Sequence, residues 1–393
     1  MELTDSDTDQ GVEDPTIVFG TASLLNDTSS DMIAPIWPTF LNVRLGLNLF
    51  QVGIVDGLAL TITALSKLGA GFASDRLGRR KPFITLGYFL SMISRIGFVI
   101  STGFYHIIFW KSMDRTGKMR GPPRDAIVAE CAGEQKRGKA FGLLRAMDTT
   151  GAVIGAVISF FLFGLLGYEG VILLAVIPAA GSVLVIAGLI KERPGKDVFK
   201  GVTFSGLDGN LKLFLFASVL FALATFSYSF LILFSRDFGY ADTQLPLLYI
   251  LFALVHALSS YPFGRASDRV GRKPVLVSAF ALLMLTSAWT FAVSDWLTVI
   301  PVFILFGLMN GALDPVQTAL VSDLVEEERR SSILGAFQMA IGLCALPAGF
   351  AIGFLWESYG PFAAFQYSIV LAAIATIVLF LVRTRGETAK AEA

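Results

Sequence analysis

Eleven ionisable side chains fall inside otherwise apolar stretches in the first half of this chain: Asp27, Asp31, Asp56, Lys67, Arg95, Lys111, Asp114, Arg115, Lys118, Arg145 and Asp148. A charge at the centre of a bilayer costs at least about 2.5–3.5 kcal/mol, so each one needs a reason. At about 100° per residue on a helix, Lys111, Arg115 and Lys118 fall within an arc of roughly 60° and form one basic stripe. Together with Arg145, that stripe is suited to an anionic group. Asp27 and Asp31 are four residues apart and share a helix face. A partly dehydrated carboxylate beside a cation can accept and release a proton, and Asp148 is a third candidate. The second half is sparser: Tyr228, His256 and Asp314 are its main polar candidates, with Phe226, Tyr249 and Gln317 beside them. The rival reading is a near-balanced set of acids and bases that neutralise one another as structural ion pairs.

The elements that must carry these residues are set by composition. The chain has 393 residues, 54% hydrophobic and 16% charged, with a mean hydropathy of +0.67; soluble domains hold about 25% charged residues. Lipid in place of water around most of the chain explains the deficit. Stretches of bilayer-spanning length are expected at 16–43, 50–74, 82–103, 105–129, 138–166 and 169–191. They resume at 210–235, 244–267, 274–294, 297–321, 331–356 and 360–384. Buried charges hide the first and fourth of these from a hydropathy window. Basic residues follow every even-numbered span: Arg76, Arg79, Arg80 and Lys81 after span 2; Lys136, Arg137 and Lys139 after span 4; Lys191 and Arg193 after span 6. Arg269, Arg272 and Lys273 follow span 8, Arg329 and Arg330 follow span 10, and Arg383 and Arg385 follow span 12. Such a bias places both termini in the cytoplasm and makes the number of spans even.

Several function classes are disfavoured. Lys+Arg 31 balances Asp+Glu 31, so no nucleic-acid footprint exists. Cys131 and Cys344 stand apart, without metal or redox spacing. No paired-His metal motif, phosphate-cradling loop or nucleophile triad is present, so neither an enzyme nor direct ATP-driven pumping is expected. The acidic segment 1–15 reads as a cytoplasmic tail rather than a signal peptide.

The chain repeats itself at an offset of about 193 residues. GFASDRLGRR begins at Gly71 and GRASDRVGRK at Gly264; the same offset pairs Pro122 with Pro315, Arg137 with Arg330, and Gly142 with Gly335. Six spans (16–192), a Gly- and charge-rich linker (193–209), six more spans (210–385) and a short tail (386–393) follow from this division. The repeat is also an internal control. Lys111, Arg115 and Lys118 correspond to Ile304, Leu308 and Gly311, and Arg145 and Asp148 to Gln338 and Ile341. A scaffold that manages without these charges in one copy need not hold them for structure in the other.

Gly-x-x-x-Asp-Arg-x-Gly-Arg-Arg between spans 2 and 3, echoed between spans 8 and 9, resembles the signature loop of the major facilitator superfamily. LLNDTSSDMI, RTGKMRGPPRDAIVAE and KAFGLLRAMDTTGAVIG resemble a prokaryotic subgroup of transporters without assigned substrate. The resemblance implies an all-α membrane protein with twelve transmembrane helices in two pseudo-symmetric six-helix bundles, in which spans 1, 4, 7 and 10 line a central cavity. It implies a latch built from Gly71, Asp75, Arg76, Arg79, Gly264, Asp268, Arg269 and Arg272, with both glycines allowing close helix approach. Helix 5 carries Gly151-x-x-x-Gly155 but lacks the proline of the family's antiporter motif.

The expected function is secondary transport of a small solute by alternating access in the cytoplasmic membrane of a prokaryote. It needs no cofactor and draws on an ion gradient, with protons as the coupling ion. Lys111, Arg115, Lys118, Arg145, Tyr228, His256 and Asp314 are the expected substrate contacts, and Asp27, Asp31 and Asp148 the proton carriers. A small organic anion or a metal–carboxylate chelate is the expected cargo, export the favoured direction, and a monomer the expected state. Alternatives are a multidrug or divalent-metal efflux carrier and a receptor or scaffold that retains the carrier fold.

Overall fold

The computed structural model describes residues 15–190, 192, 208–325 and 329–383. The N-terminal acidic tail before Pro15, nearly all of the 193–209 linker and the C-terminal tail lie outside the described residues, as do Lys191, Arg193 and Arg385. The described residues are almost entirely helical. We label α1 Pro15–Ile33, α2 Leu49–Leu77, α3 Lys81–Val99, α4 Phe104–Thr116, α5 Gly121–Leu189 and α6 Gly209–Ala224. The others are α7 Tyr228–Arg236, α8 Leu245–Val270, α9 Arg272–Trp289, α10 Trp296–Leu324, α11 Arg330–Tyr359 and α12 Pro361–Leu381.

Among the described residues, nine helical stretches are long and apolar enough to cross a membrane. Neither α1 nor α4 is one of them: α1 carries Asp27 and Asp31 among other polar residues, and α4 is only 13 residues long. Residues 136–189 form one such stretch although two spans were expected there. Within this stretch Gly167 takes a left-handed φ of +65°, a local turn of the backbone between the two expected spans.

Local chemistry sets the other boundaries. Asn48 starts α2 with a capping box, its side chain accepting from Gln51 N (2.9 Å) while Gln51 Oε1 accepts from Asn48 N (3.1 Å). The first span breaks after Ile33, before Pro35, and resumes as a short turn at Trp37–Thr39. Three sequence expectations need correction. The fourth span is not one helix, because a 3₁₀ turn, Gly117–Arg120, separates α4 from α5. The expected loop around Lys136, Arg137 and Lys139 has helical backbone within α5. The seventh span is also broken, at Thr225–Ser227, where Ser227 Oγ caps α7 by accepting from Ser229 N (3.2 Å). This break falls at the position equivalent to the one in the first span.

Apolar packing follows the repeats. A large cluster joins Phe214, Phe221, Phe280, Phe303 and Phe365 of the second repeat. Two others organise the first repeat, one around Trp37, Phe40 and Phe98, the other around Phe19, Ile84 and Tyr88. Leu233 of α7 is buried in the Trp37 cluster, so the two repeats interlock at that end. On one flank α2 lies against α11 closely enough that a Cβ on Gly53 would strike the Gly349 carbonyl.

Candidate functional site

Between the repeats lies a cavity of about 620 Å³. Its wall from the first repeat carries Asp27, Lys67, Lys118, Arg120, Arg124, Asp125, Arg145 and Asp148, and it reaches Gly71, Ser74 and Asp75 at the signature loop. The opposing wall is uncharged, formed by Gly335, Gln338 and Met339 of α11.

The lining charges are not alike. Arg120 donates to Ser91 Oγ (3.2 Å) and Gly117 O (2.8 Å) and lies over the Tyr88 ring at 4.6 Å. Arg124 is held by Asp125 (2.9 Å) and Ser23 (2.6 Å). By contrast Lys67, Lys118 and Arg145, from α2, the 3₁₀ turn and α5, form no salt bridge or hydrogen bond with any described residue. Among the described residues, Asp27 accepts from its neighbour Asn26 alone (3.1 Å). Asp148 Oδ1 is shut off from solvent and accepts from no described residue. A lone carboxylate oxygen in that position is costly as an anion, and protonation removes the charge.

The remaining members of the expected basic stripe lie elsewhere. Lys111 is 7% exposed, with its ammonium 3.5 Å from the centroid of the Trp37 ring, and it does not line the cavity. Arg115 pairs with Asp114 at 3.3 Å, and Asp114 also faces Arg95 at 3.4 Å. Arg95 donates further to Ser29 Oγ (2.5 Å), Ser30 Oγ (2.9 Å) and the Ser91 carbonyl. The stripe therefore divides: Lys118 meets the cavity, while Arg115 belongs to a buried ion cluster with Asp114 and Arg95. Asp31 parts from Asp27 in the same way, for its Oδ1 is taken by the Tyr249 hydroxyl at 2.7 Å.

In the second repeat, Tyr228 donates to Ala34 O (3.1 Å), and its ring meets that of Tyr249 edge-on at 5.2 Å. His256 Nε2 lies 3.1 Å from Asp314 Oδ2, joining α8 to α10. None of these four residues lines the cavity.

The two signature loops build matching networks. Arg80, 2% exposed, faces Asp75 at 3.9 Å and Glu130 at 2.7 Å. Arg272 bonds Asp268 at 2.5 Å and Asp323 at 3.1 Å. Glu130 and Asp323 are equivalent at the 193 offset, a match that could have exposed both networks in advance. At that offset Arg79 corresponds to Arg272 and Arg80 to Lys273, so the two networks use neighbouring cations of their loops; Arg79 is exposed, and Arg76 lies 6.0 Å from the Phe72 ring. Arg269 is exposed as well. The close approach expected at the loop glycines is not found. The nearest atom to a Cβ on Gly71 would be Pro122 Cβ at 3.7 Å, and nothing lies within 4 Å of one on Gly264. At this end the repeats stand apart around the cavity.

Paired helical repeats, signature loops at one end and a charged cavity between them define a membrane carrier. The sequence profile of the Major Facilitator Superfamily matches residues 19–209 and 213–393. This chain belongs to that family of transporters and is a multi-pass membrane protein. It is 34% identical over 378 residues to an uncharacterised MFS-type transporter of Methanocaldococcus jannaschii, covering 93% of this chain and 94% of the relative. It is 25% identical over 386 residues to the multi-drug resistance efflux pump PmrA of Streptococcus pneumoniae, covering 91% and 94%. Its fold matches the crystal structure of a bacterial homologue of the human lysosomal transporter Spinster with a TM-score of 0.77 at 15% identity, covering 93% and 96%.

Proposed function

We propose that this transporter is a proton-coupled secondary carrier that exports a small organic anion, or a metal–carboxylate chelate, across the cytoplasmic membrane by alternating access. One observation carries the reading: three cations that bond no described residue and two carboxylates with few acceptor contacts among the described residues face the same cavity. Lys67, Lys118 and Arg145 offer charge to the cargo; Asp27 and Asp148 exchange protons with it. The positive-inside bias supports an open, basic end that faces the cytoplasm, where an exporter would load its cargo. With Asp31 committed to Tyr249, the paired Asp27–Asp31 site that a bare divalent metal would need is not assembled.

A second reading is efflux of amphiphilic drugs, favoured by the uncharged α11 wall and by the PmrA relative. Transport by reconstituted protein separates the two. Under the anion reading, Lys118→Gln and Arg145→Gln lower carboxylate transport about tenfold or more, as loss of a charged contact implies, and leave cationic-drug transport unchanged. Asp148→Asn abolishes the dependence on a pH gradient while exchange persists. Undiminished carboxylate transport in both cation variants would refute the anion site.

A further inference from the structure

The duplication makes two flanks of the molecule equivalent, α2 against α11 on one side and α8 against α5 on the other, yet they are built differently. On the first flank small residues let the backbones touch. A Cβ on Gly53 would strike the Gly349 carbonyl, one on Gly57 the Ala345 carbonyl, and one on Gly342 the Ala64 side chain. Thr61 donates to Gly342 O at 2.8 Å along the same crossing. At the 193 offset Gly53 and Gly57 become Pro246 and Ile250 of α8, while Gly342, Gly349 and Gly353 become Thr149, Ala156 and Phe160 of α5. Added bulk at those positions keeps the second pair of helices from approaching as closely. The counterparts of Thr61 and Gly342 are Leu254 and Thr149, and both are exposed, Leu254 by 47%. Among the described residues, no hydrogen bond or salt bridge joins 138–166 to α8. A groove of about 500 Å³ follows this flank, lined by Arg145, Ala146, Thr149, Thr150, Val153 and Ile154. Farther along, the flank narrows again, where a Cβ on Gly164 would lie 3.8 Å from Cγ2 of Thr243, just before α8. Arg145 lines both the groove and the central cavity and bonds no described residue.

We infer that the α5–α8 flank is a one-sided portal for a single-chain amphiphile with a carboxylate head: Arg145 takes the head, and the chain lies along Val153 and Ile154 in contact with lipid. A chain drawn wholly into the cavity would leave hydrocarbon for a wall of charges and lose its apolar surroundings. An open flank lets the head enter while the tail stays in the membrane. From Arg145 to Ile154 the groove runs about 13 Å along the helix, the reach of a medium-length acyl chain. Asp27 and Asp148 share the cavity wall with Arg145 and repel a second negative charge, so a monoanionic carboxylate suits the doorway better than a phosphate dianion. The groove occupies the half of its span nearest Lys136 and Lys139, and the positive-inside bias supports entry from the cytoplasmic leaflet. The inference rests on the anion reading of Arg145 and adds an apolar tail to that cargo.

Photo-crosslinking tests the portal in the full-length carrier held in lipid nanodiscs. The probe is dodecanoate with a diazirine at its chain end, and labelled residues are mapped by mass spectrometry. Labelling at 149–154 of α5 and at Leu254 and Leu258 of α8 should exceed that at Leu173, Ile177 and Leu184, which are also exposed on the apolar surface, by about tenfold, the weight of one bond to a charged group. Arg145→Gln removes the excess, Arg145→Lys keeps it, and added lactate, a short carboxylate without the tail, displaces it. Labelling spread evenly over the exposed apolar residues, or an excess that survives both Arg145→Gln and lactate, marks ordinary partition into the membrane and overturns the portal. Lactate transport by reconstituted protein judges the anion reading separately. If Arg145→Gln lowers that transport about tenfold while the native protein labels evenly, the portal falls and the anion site stands. If neither transport nor labelling responds to the substitution, both readings fall.

Discussion

Arg95 is 2% exposed, yet its guanidinium reaches Ser29, Ser30, the Ser91 carbonyl and Asp114, so its charge is spread over fixed acceptors. Lys118 sits only a few residues beyond that cluster and bonds no described residue. This contrast, rather than the presence of charge at depth, separates a residue that stabilises the fold from one available to cargo. Removing one partner from a buried pair leaves an uncompensated charge and costs roughly 3–5 kcal/mol. Asp114→Ala is therefore expected to lower the thermal unfolding midpoint in detergent steeply, whereas Lys118→Gln leaves it within about a degree or two, as substitutions outside such networks do. Equal losses of stability in the two variants would erase the distinction. The duplicated scaffold misleads here: Asp114 and Arg95 correspond to Gly307 and Ala288, yet their pairing is structural. Two copies of a fold can be stabilised by different means.

At the scale of elements, close helix contact is written in small residues and helix starts in caps. Gly151 and Gly155 of α5 bring its backbone onto α1 at Leu24 and Thr28, as their spacing predicts. Asp295 caps α10 by accepting from Leu297 N (2.9 Å) and Thr298 N (3.0 Å). These backbone donors hold its carboxyl below the usual range. Because the folded pKa is the lower one, the cap stabilises above the unfolded-state pKa and weakens as pH falls through the folded-state value. Asp295→Ala should thus lower the unfolding midpoint at neutral pH and converge with the native protein in acid. A difference that persists unchanged in acid would rule out the charged cap. The break at Ser227 had no such signature, for no proline interrupts the seventh span; it follows from what Ser227 caps and touches.

Across the whole molecule, one end is shut and the other open, and the shut end depends on contact between α2 and α11. Thr61 donates to Gly342 O at 2.8 Å along this crossing, and Leu49 N to Glu357 at 3.1 Å. A side chain on Gly349 would meet the Gly53 carbonyl, so Gly349→Val should force these helices apart and disfavour this state. Transport by the reconstituted variant should drop about tenfold or more, while its elution as a folded particle persists. Native-level transport would show that the crossing is slack.

Sequence alone determined the membrane class, the duplication, the carrier family and the set of charges that demand explanation. Hydrophobic length, basic-loop bias and a fixed repeat offset are local or translational patterns, and a linear chain displays them directly. It could not sort the charges. Lys111, Arg115 and Lys118 share one helical face by spacing, yet they end on an aromatic ring, in an ion cluster and in a cavity. What decides between these fates is which residues of other helices arrive opposite them, and that is fixed only when the repeats pack. The pairing of Asp56 with Ser227 across 171 positions is of the same kind: its partners are neighbours only in three dimensions.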